Sequence, residues 1–323
     1  MFEYRTQVKI DINKLKEVVE ELRLNYLEVN TRETHEGRSR FSQWNNISKF
    51  LERITTGEIP SKVSGVNSQY RIFDVVGSAK GNSARVYFKP SITSLAKPIR
   101  KCIVPVNEES VFAFFDLRAA EFAMNAIFAQ ESEAVDAYHN GEDIYLHYRN
   151  LFPQDADRKV IKKILIANMY NKSAYSTAID LGCSEAQAQR LLDQVAQQIP
   201  RMTMLKRKIY SYDRRYNGYF APKGFDQTNL VKVADIDPAK GFNPDFALSA
   251  YTQSALGLFI QELTTKLVPR INGTLISVFD SMCVEIKPES KERFESWVRK
   301  SFSPLVPDKI TYGTSFYEAA YGI

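Results

Sequence analysis

Three short stretches carry residue types that can act on phosphates. Phe114-Phe115-Asp116-Leu117-Arg118-Ala119-Ala120-Glu121 brings an apolar run to a close on an acid. A charge at the end of a buried strand is costly unless it is paired or binds a metal. Thr274-Leu275-Ile276-Ser277-Val278-Phe279-Asp280-Ser281-Met282-Cys283 places a second acid at the bend between two apolar runs. Two aspartates on neighbouring strands can share a pair of Mg²⁺ ions about 3.5–4 Å apart, as in two-metal phosphoryl transfer. In the third stretch, Arg158, Lys162, Ile166 and Tyr170 are four residues apart and form one stripe on a helix. Two cations, an aliphatic residue and a ring in line match a nucleoside triphosphate, with phosphates at one end and base at the other. Arginine grips phosphate oxygens as a fork, and lysine supplies a point charge. Each stretch taken alone also reads blandly: a helix-capping Asp, an ordinary Asp-Ser hairpin bend, and a solvated cationic turn running into a core.

The elements that must hold these residues follow from periodicity. The first 55 residues read as helical. Asp11 or Asn13 caps a helix carrying Leu15, Val18, Val19, Leu22 and Tyr26, and a second short helix covers about Ile47 to Ile54. Between Gly57 and Pro98, turn residues punctuate short β-rich pieces such as Tyr70 to Val76 and Ala84 to Phe88. Val111 to Phe115 reads as a buried strand and Ala119 to Gln130 as an apolar helix. Helices then dominate to about Tyr216, with a break at Gly182 and a cap-like Ser184-Glu185-Ala186-Gln187. A loop-rich stretch precedes a long helix at Ala247 to Leu267, a strand–turn–strand at Thr274 to Ile286, and an amphipathic helix at Glu289 to Phe302. The chain is therefore mixed α/β, with a helical insertion between two strand-bearing halves.

Composition narrows the class. The 323 residues are 44% hydrophobic and 25% charged, an ordinary globular mixture that rules out wholesale disorder. No apolar run reaches the eighteen residues of a membrane span, and Met1 to Glu17 fits neither a signal nor a transit peptide. Cys102, Cys183 and Cys283 are odd in number and widely spaced. With only His35, His139 and His147 beside them, they argue against a disulfide framework or a structural zinc site and for a reducing compartment. The net charge of +5 is a weak sign of a polyanionic partner. Its clustering says more, at Arg158 to Lys163 and at Arg201 to Arg215, where Tyr210, Tyr212 and Tyr216 interleave. That texture suits a phosphate backbone with stackable bases, and equally a solvated helix face.

Taken together, the three stretches resemble the family A DNA polymerases, the bacterial polymerase I and related phage type. Asp116 to Glu121 resembles the first family motif, usually Asp-Tyr-Ser-Gln-Ile-Glu, and Gly141-Glu142-Asp143-Ile144-Tyr145 resembles the Gly-Glu-Asp-Ile-His stretch downstream. Arg158, Lys162 and Tyr170 fall on the Arg-x3-Lys-x7-Tyr-Gly pattern, and Val278-Phe279-Asp280-Ser281 on Val-His-Asp-Glu. Gln253 is similar to the minor-groove-reading glutamine, and Arg85 to the arginine of the Thr-Gly-Arg segment. Val8-Lys9-Ile10-Asp11 and the helix after it resemble the opening of the thumb. The resemblance covers roughly residues 65 to 300. It departs at Phe279, Ser281, Asn171 and Ile166, where the family carries His, Glu, Gly and Phe or Tyr.

This resemblance implies a right-hand polymerase fold with an antiparallel-sheet palm, helical fingers and a reduced helical thumb. The thumb would be 1–64, the palm 65–124 and 230–323, and the fingers 125–229. Asp116, Asp280 and the Leu117 carbonyl would hold two Mg²⁺ ions, with Mn²⁺ as a substitute. Arg158 and Lys162 would clamp the triphosphate. Ile166 and Glu121 would lie beside the sugar, with the Glu121 carboxylate tied to Tyr170, and Tyr170 would sit by the templating base. Arg85, Gln253 and Phe279 would touch DNA. The implied partners are primer–template DNA and deoxynucleoside triphosphates, with a separate exonuclease or processivity subunit, because no nuclease domain fits the chain. The expected setting is the cytoplasm of a bacterium or a phage-infected cell, without a membrane. Two alternatives stay open. A single-subunit phage-type RNA polymerase shares the second motif's spacing and an Asp-Ser third motif. A non-catalytic primer–template-binding accessory would need neither acid.

Overall fold

The computed structural model describes residues 2–79, 86–90, 99, 101–170, 172–205, 219–220, 231–232, 244–278, 280–302 and 312–317. Arg85, Asn171, Phe279 and the basic stretch beyond residue 205 lie outside the described residues.

The chain opens with a strand, β1 (Glu3–Asp11), where helix was expected. Its residues alternate strictly: Tyr4, Thr6, Val8 and Ile10 are buried, and Glu3, Arg5 and Gln7 are exposed. That two-residue period is the pattern of a half-buried strand. β1 pairs antiparallel along its whole length with β3 (Tyr70–Ala79). Also in this sheet are β2 (Lys62–Ser64) and β4 (Val86–Lys89), both paired with β3, and β5 (Ile103–Val104), paired with β1. The sheet therefore crosses residue 64, the expected boundary between thumb and palm.

Between β1 and β2 runs a helical hairpin of α1 (Ile12–Val29) and α2 (His35–Thr55). Asp11 caps α1 by accepting from the Asn13 and Lys14 amides at 2.9 and 3.1 Å. Gln69 Nε2 donates to its second oxygen at 2.9 Å, tying the helix start to the sheet. Helix α2 is much longer than the expected Ile47–Ile54. Its first half buries only Gly37, so it shows little apolar periodicity; the Thr34 cap starts it instead.

A second antiparallel sheet carries both acidic stretches. Its order is β11–β6–β10–β9, with β6 (Val111–Leu117), β9 (Leu275–Val278), β10 (Ser281–Ile286) and β11 (Tyr312–Tyr317). All six residues of β10 are buried, so this strand is covered on both faces. The two-residue strands β7 (Tyr219–Phe220) and β8 (Val231–Lys232) form a separate ribbon.

Among the described residues, the interval between β6 and β9 is mainly helical. Its helices are α3 (Ala120–Ala129), α4 (Ser132–His139), α5 (Ile144–His147), α6 (Arg158–Met169), α7 (Ala174–Leu181), α8 (Glu185–Gln198) and the long α9 (Pro244–Leu267). The expected break at Gly182 is an αL helix stop, and Ser184 with Gln187 makes a full capping box. A last helix, α10 (Lys291–Phe302), follows β10. Buried side chains fall into two cores. One joins both sheets to α1, α2, α9 and α10; the other is built within α3 to α8. Helix α3 serves both: Ala120 and Met124 face the first core, Phe122, Ala123 and Ala126 the second.

Candidate active site

The paired strands β6 and β10 bring the two aspartates together. Asp116, the penultimate residue of β6, lies opposite Ser281 at the start of β10. Asp280 occupies the tight bend between β9 and β10, and its carbonyl accepts the Leu117 amide at 3.0 Å. Both side chains are partly buried at the same end of the sheet. Burial pushes the Asp116 carboxyl up, opposed by the positive charges of Lys162 and Arg118. Asp280 is pushed up to about 6 by burial and then by the charge of Asp116, with a smaller push from Glu121 and a pull down from Lys162. Two partly buried carboxylates that repel one another are a site short of positive charge.

Helix α6 supplies charge from the other side. Asp157 caps it, accepting the Lys159 amide at 3.1 Å. Four cations, Arg158, Lys159, Lys162 and Lys163, crowd its first two turns. That arrangement opposes the helix macrodipole, whose positive end is here, and so favours an anion at this place. Along α6, Arg158 and Lys162 are exposed and Ile166 is half-buried, as is Tyr170 at the C-cap. Lys159, Lys162, Ile166, Tyr170 and Lys172 help line an open depression of about 470 Å³. Lys163 and Lys172 are already paired with Asp180. Among the described residues no carboxylate lies within ion-pair distance of Lys159 or Lys162.

Glu121 sits one turn into α3, half-buried. Its expected hydrogen bond to Tyr170 is absent. Among the described residues the buried Tyr170 hydroxyl makes no hydrogen bond of good geometry, although Thr252, Ser249 and Asn125 lie close to it. Burial and the Glu121 charge push its pKa upward, and Thr252, Ser249 and Asn125 pull the other way. Asn125, one turn beyond Glu121, donates to the Glu121 carbonyl at 2.8 Å and accepts from Thr252 Oγ1 at 3.0 Å, so α9 supplies the polar surroundings of the ring. Gln253 is half-buried next to Thr252, and its Nε2 donates to Ser249 Oγ at 3.0 Å.

Two residues without an assigned role in the sequence reading are part of this arrangement. Asp143 forms an ion pair with Arg158 and also caps α5, accepting the Tyr145 and Leu146 amides at 3.0 and 3.3 Å. Tyr145 lies beneath the cations, with Arg158 Cζ 5.2 Å and Lys162 Nζ 5.6 Å from its ring centroid. The Gly141-to-Tyr145 stretch marked their place in the sequence, and only packing reveals the contacts.

Among the described residues no group of three or more His, Cys, Asp and Glu is arranged to hold a metal. The pair Asp116 and Asp280 nevertheless suits Mg²⁺, which is commonly bound by one or two carboxylates together with substrate phosphates. Ser281, where the related motif has Glu, is what keeps the acid count at two.

No protein-family model matches the chain. In an alignment of 257 positions that covers 71% of this chain, it is 23% identical to DNA polymerase I of Streptococcus pneumoniae serotype 4 (strain ATCC BAA-334 / TIGR4). It spans 28% of that protein, less than a third. Among solved structures it is similar to the POL domain of Pol1 from M. smegmatis, described in complex with DNA primer-template and dNTP. The TM-score is 0.73 at 13% identity, covering 97% of this chain and 67% of that one. The fold is that of a DNA polymerase domain, and the sequence match agrees with the resemblance carried by the three motifs.

Proposed function

We propose that the chain is a template-directed DNA polymerase that extends a primer 3′-hydroxyl with deoxynucleoside triphosphates. The observation that carries this reading is the placement of Asp116 and Asp280 at one end of the β6–β10 pair with Lys162 acting on both. A binding protein has no need of two mutually repelling, partly buried acids facing a cationic helix start. In this reading 65–124 with 230–323 is the palm, 125–229 the fingers and 1–64 a reduced thumb joined to the palm through β1.

Asp116, Asp280 and the Leu117 carbonyl would hold two Mg²⁺ ions. When bound, such ions activate the attacking hydroxyl and neutralise charge developing during in-line phosphoryl transfer. Arg158 and Lys162 hold the triphosphate so that its α-phosphorus faces the primer end, and Lys162 stabilises the negative charge on the leaving pyrophosphate. These contributions are positioning and electrostatics. Glu121 and Ile166 bound the sugar, Tyr170 lies by the templating base, and Gln253 with Arg85 and Phe279 contacts DNA. Minor-groove acceptors are nearly the same for every base pair, which suits contacts that must tolerate any sequence.

Primer extension with Mg²⁺, comparing deoxy- and ribonucleoside triphosphates, tests the proposal. Templated addition of deoxynucleotides supports it. A ribonucleotide preference would favour an RNA polymerase, and DNA binding without extension would favour an accessory protein.

A further inference from the structure

We infer that Tyr145 is a positioning residue whose ring face holds Arg158 and Lys162 in register for a triphosphate. The inference rests on the triphosphate role proposed above for these two cations. Arg158 and Lys162 are like charges one helical turn apart, and like charges at that spacing repel. Left to solvent, their long side chains would splay apart. Both instead lie over a single ring, at 5.2 and 5.6 Å from its centroid. These distances are within the range in which an aromatic quadrupole attracts a cation.

The ring cannot move aside. Tyr145 is 2% exposed and packs edge-on against Phe122 of α3, with centroids 6.1 Å apart. Its backbone is fastened as well, because Asp143 caps the turn that carries it and binds Arg158 with its other oxygen. One short element therefore fixes both the ring and the guanidinium. The Tyr145 hydroxyl has no hydrogen-bond partner among the described residues. A buried hydroxyl without a partner is a liability that phenylalanine would avoid, and both cation contacts are made by the ring and none by the hydroxyl.

The experiment measures binding of dATP by the full chain, without primer–template, by titration calorimetry, so that no turnover is needed. Tyr145→Phe keeps the ring and should bind within about twofold of wild type. Tyr145→Leu removes the ring and should weaken binding about three- to tenfold. Pentafluorophenylalanine at position 145 keeps the shape while reversing the ring's charge distribution, and should weaken binding as Leu does; it remains decisive if the Leu variant does not fold. Equal binding by wild type and the fluorinated protein would overturn the inference while leaving the functional reading intact. Loss of binding in Tyr145→Phe would overturn it too, by moving the role to the hydroxyl. Absence of dATP binding by wild type would overturn the functional reading, and the inference with it.

Discussion

At the scale of single residues, the site is a set of charges held where they would not choose to be. Asp280 binds its proton more tightly in the fold than in the unfolded chain, because burial and Asp116 both disfavour its charge. The sign follows directly. A carboxyl whose folded pKa lies above the unfolded value costs stability once ionised, so the cost grows as pH rises from about 4 to about 6 and is constant above that. Asp280→Asn should therefore be more stable than wild type in metal-free buffer at pH 8, by about 1–3 kcal/mol, and the difference should vanish near pH 4. Denaturant melts at several pH values would check this. Adding Mg²⁺ should stabilise wild type and leave the variant unchanged. Glu121 carries a second expectation. Its substitution by Ala opens space beside the sugar, and incorporation of ribonucleotides relative to deoxynucleotides should rise by about tenfold, the scale set by a buried polar group losing its environment. An unchanged sugar preference would remove Glu121 from that role, a role that no longer includes a hydrogen bond to Tyr170.

Individual elements show what can be read from sequence and what cannot. Strand β6 was legible because an unbroken apolar run closes on Asp116, and helix α3 and the β9–β10 hairpin because apolar residues dominate them around the few polar ones. The Gly182 stop and the Ser184 cap were legible because their chemistry is local. β1 was not, because a polar residue, Thr6, stands at one of its inward positions and the strong helical period from Leu15 onward drew the segment into one reading. The first half of α2 was missed for the opposite reason: it buries almost nothing. The Asp143–Arg158 pair and the Tyr145 platform join α5 to α6 through tertiary packing, which no spacing encodes. In the neighbouring turn, protonated His147 donates from Nδ1 to Glu142 at 3.0 Å and from Nε2 to Glu133 at 3.2 Å, joining α4 to α5. Partial burial opposes its charge, but the two carboxylates outweigh this and raise its pKa. Its stabilising contribution is thus present below the ordinary histidine pKa and lost as pH rises through the raised value. His147→Gln should cost about 0.5–1 kcal/mol at pH 5.5 and little at pH 9, as read by thermal melts.

Across the whole molecule, the two sheets are locked together where the proposed chemistry needs rigidity. The Tyr4 hydroxyl of β1 donates to the Leu275 carbonyl at 3.2 Å and lies 2.8 Å from Ser277 Oγ. Thr6 donates to the Gly273 carbonyl at 3.2 Å and accepts the Leu275 amide at 2.8 Å. The first strand of the chain therefore grips the hairpin that presents Asp280. Tyr4→Phe would strand buried polar groups on β9, so it should lower stability by about 1–3 kcal/mol and reduce extension more than primer–template affinity. That affinity should fall steeply with salt, because neutralised phosphates release counterions. The chain contains no described helix long and apolar enough to cross a membrane.

The most direct measurement is single-turnover primer extension by Asp116→Asn and Asp280→Asn beside wild type, with primer–template affinity measured in parallel. Each substitution keeps shape and removes one charged ligand. The account predicts that extension falls by about a thousandfold or more while DNA affinity, carried by cations and stacking, changes by less than about threefold. Near-normal extension by either variant would contradict it.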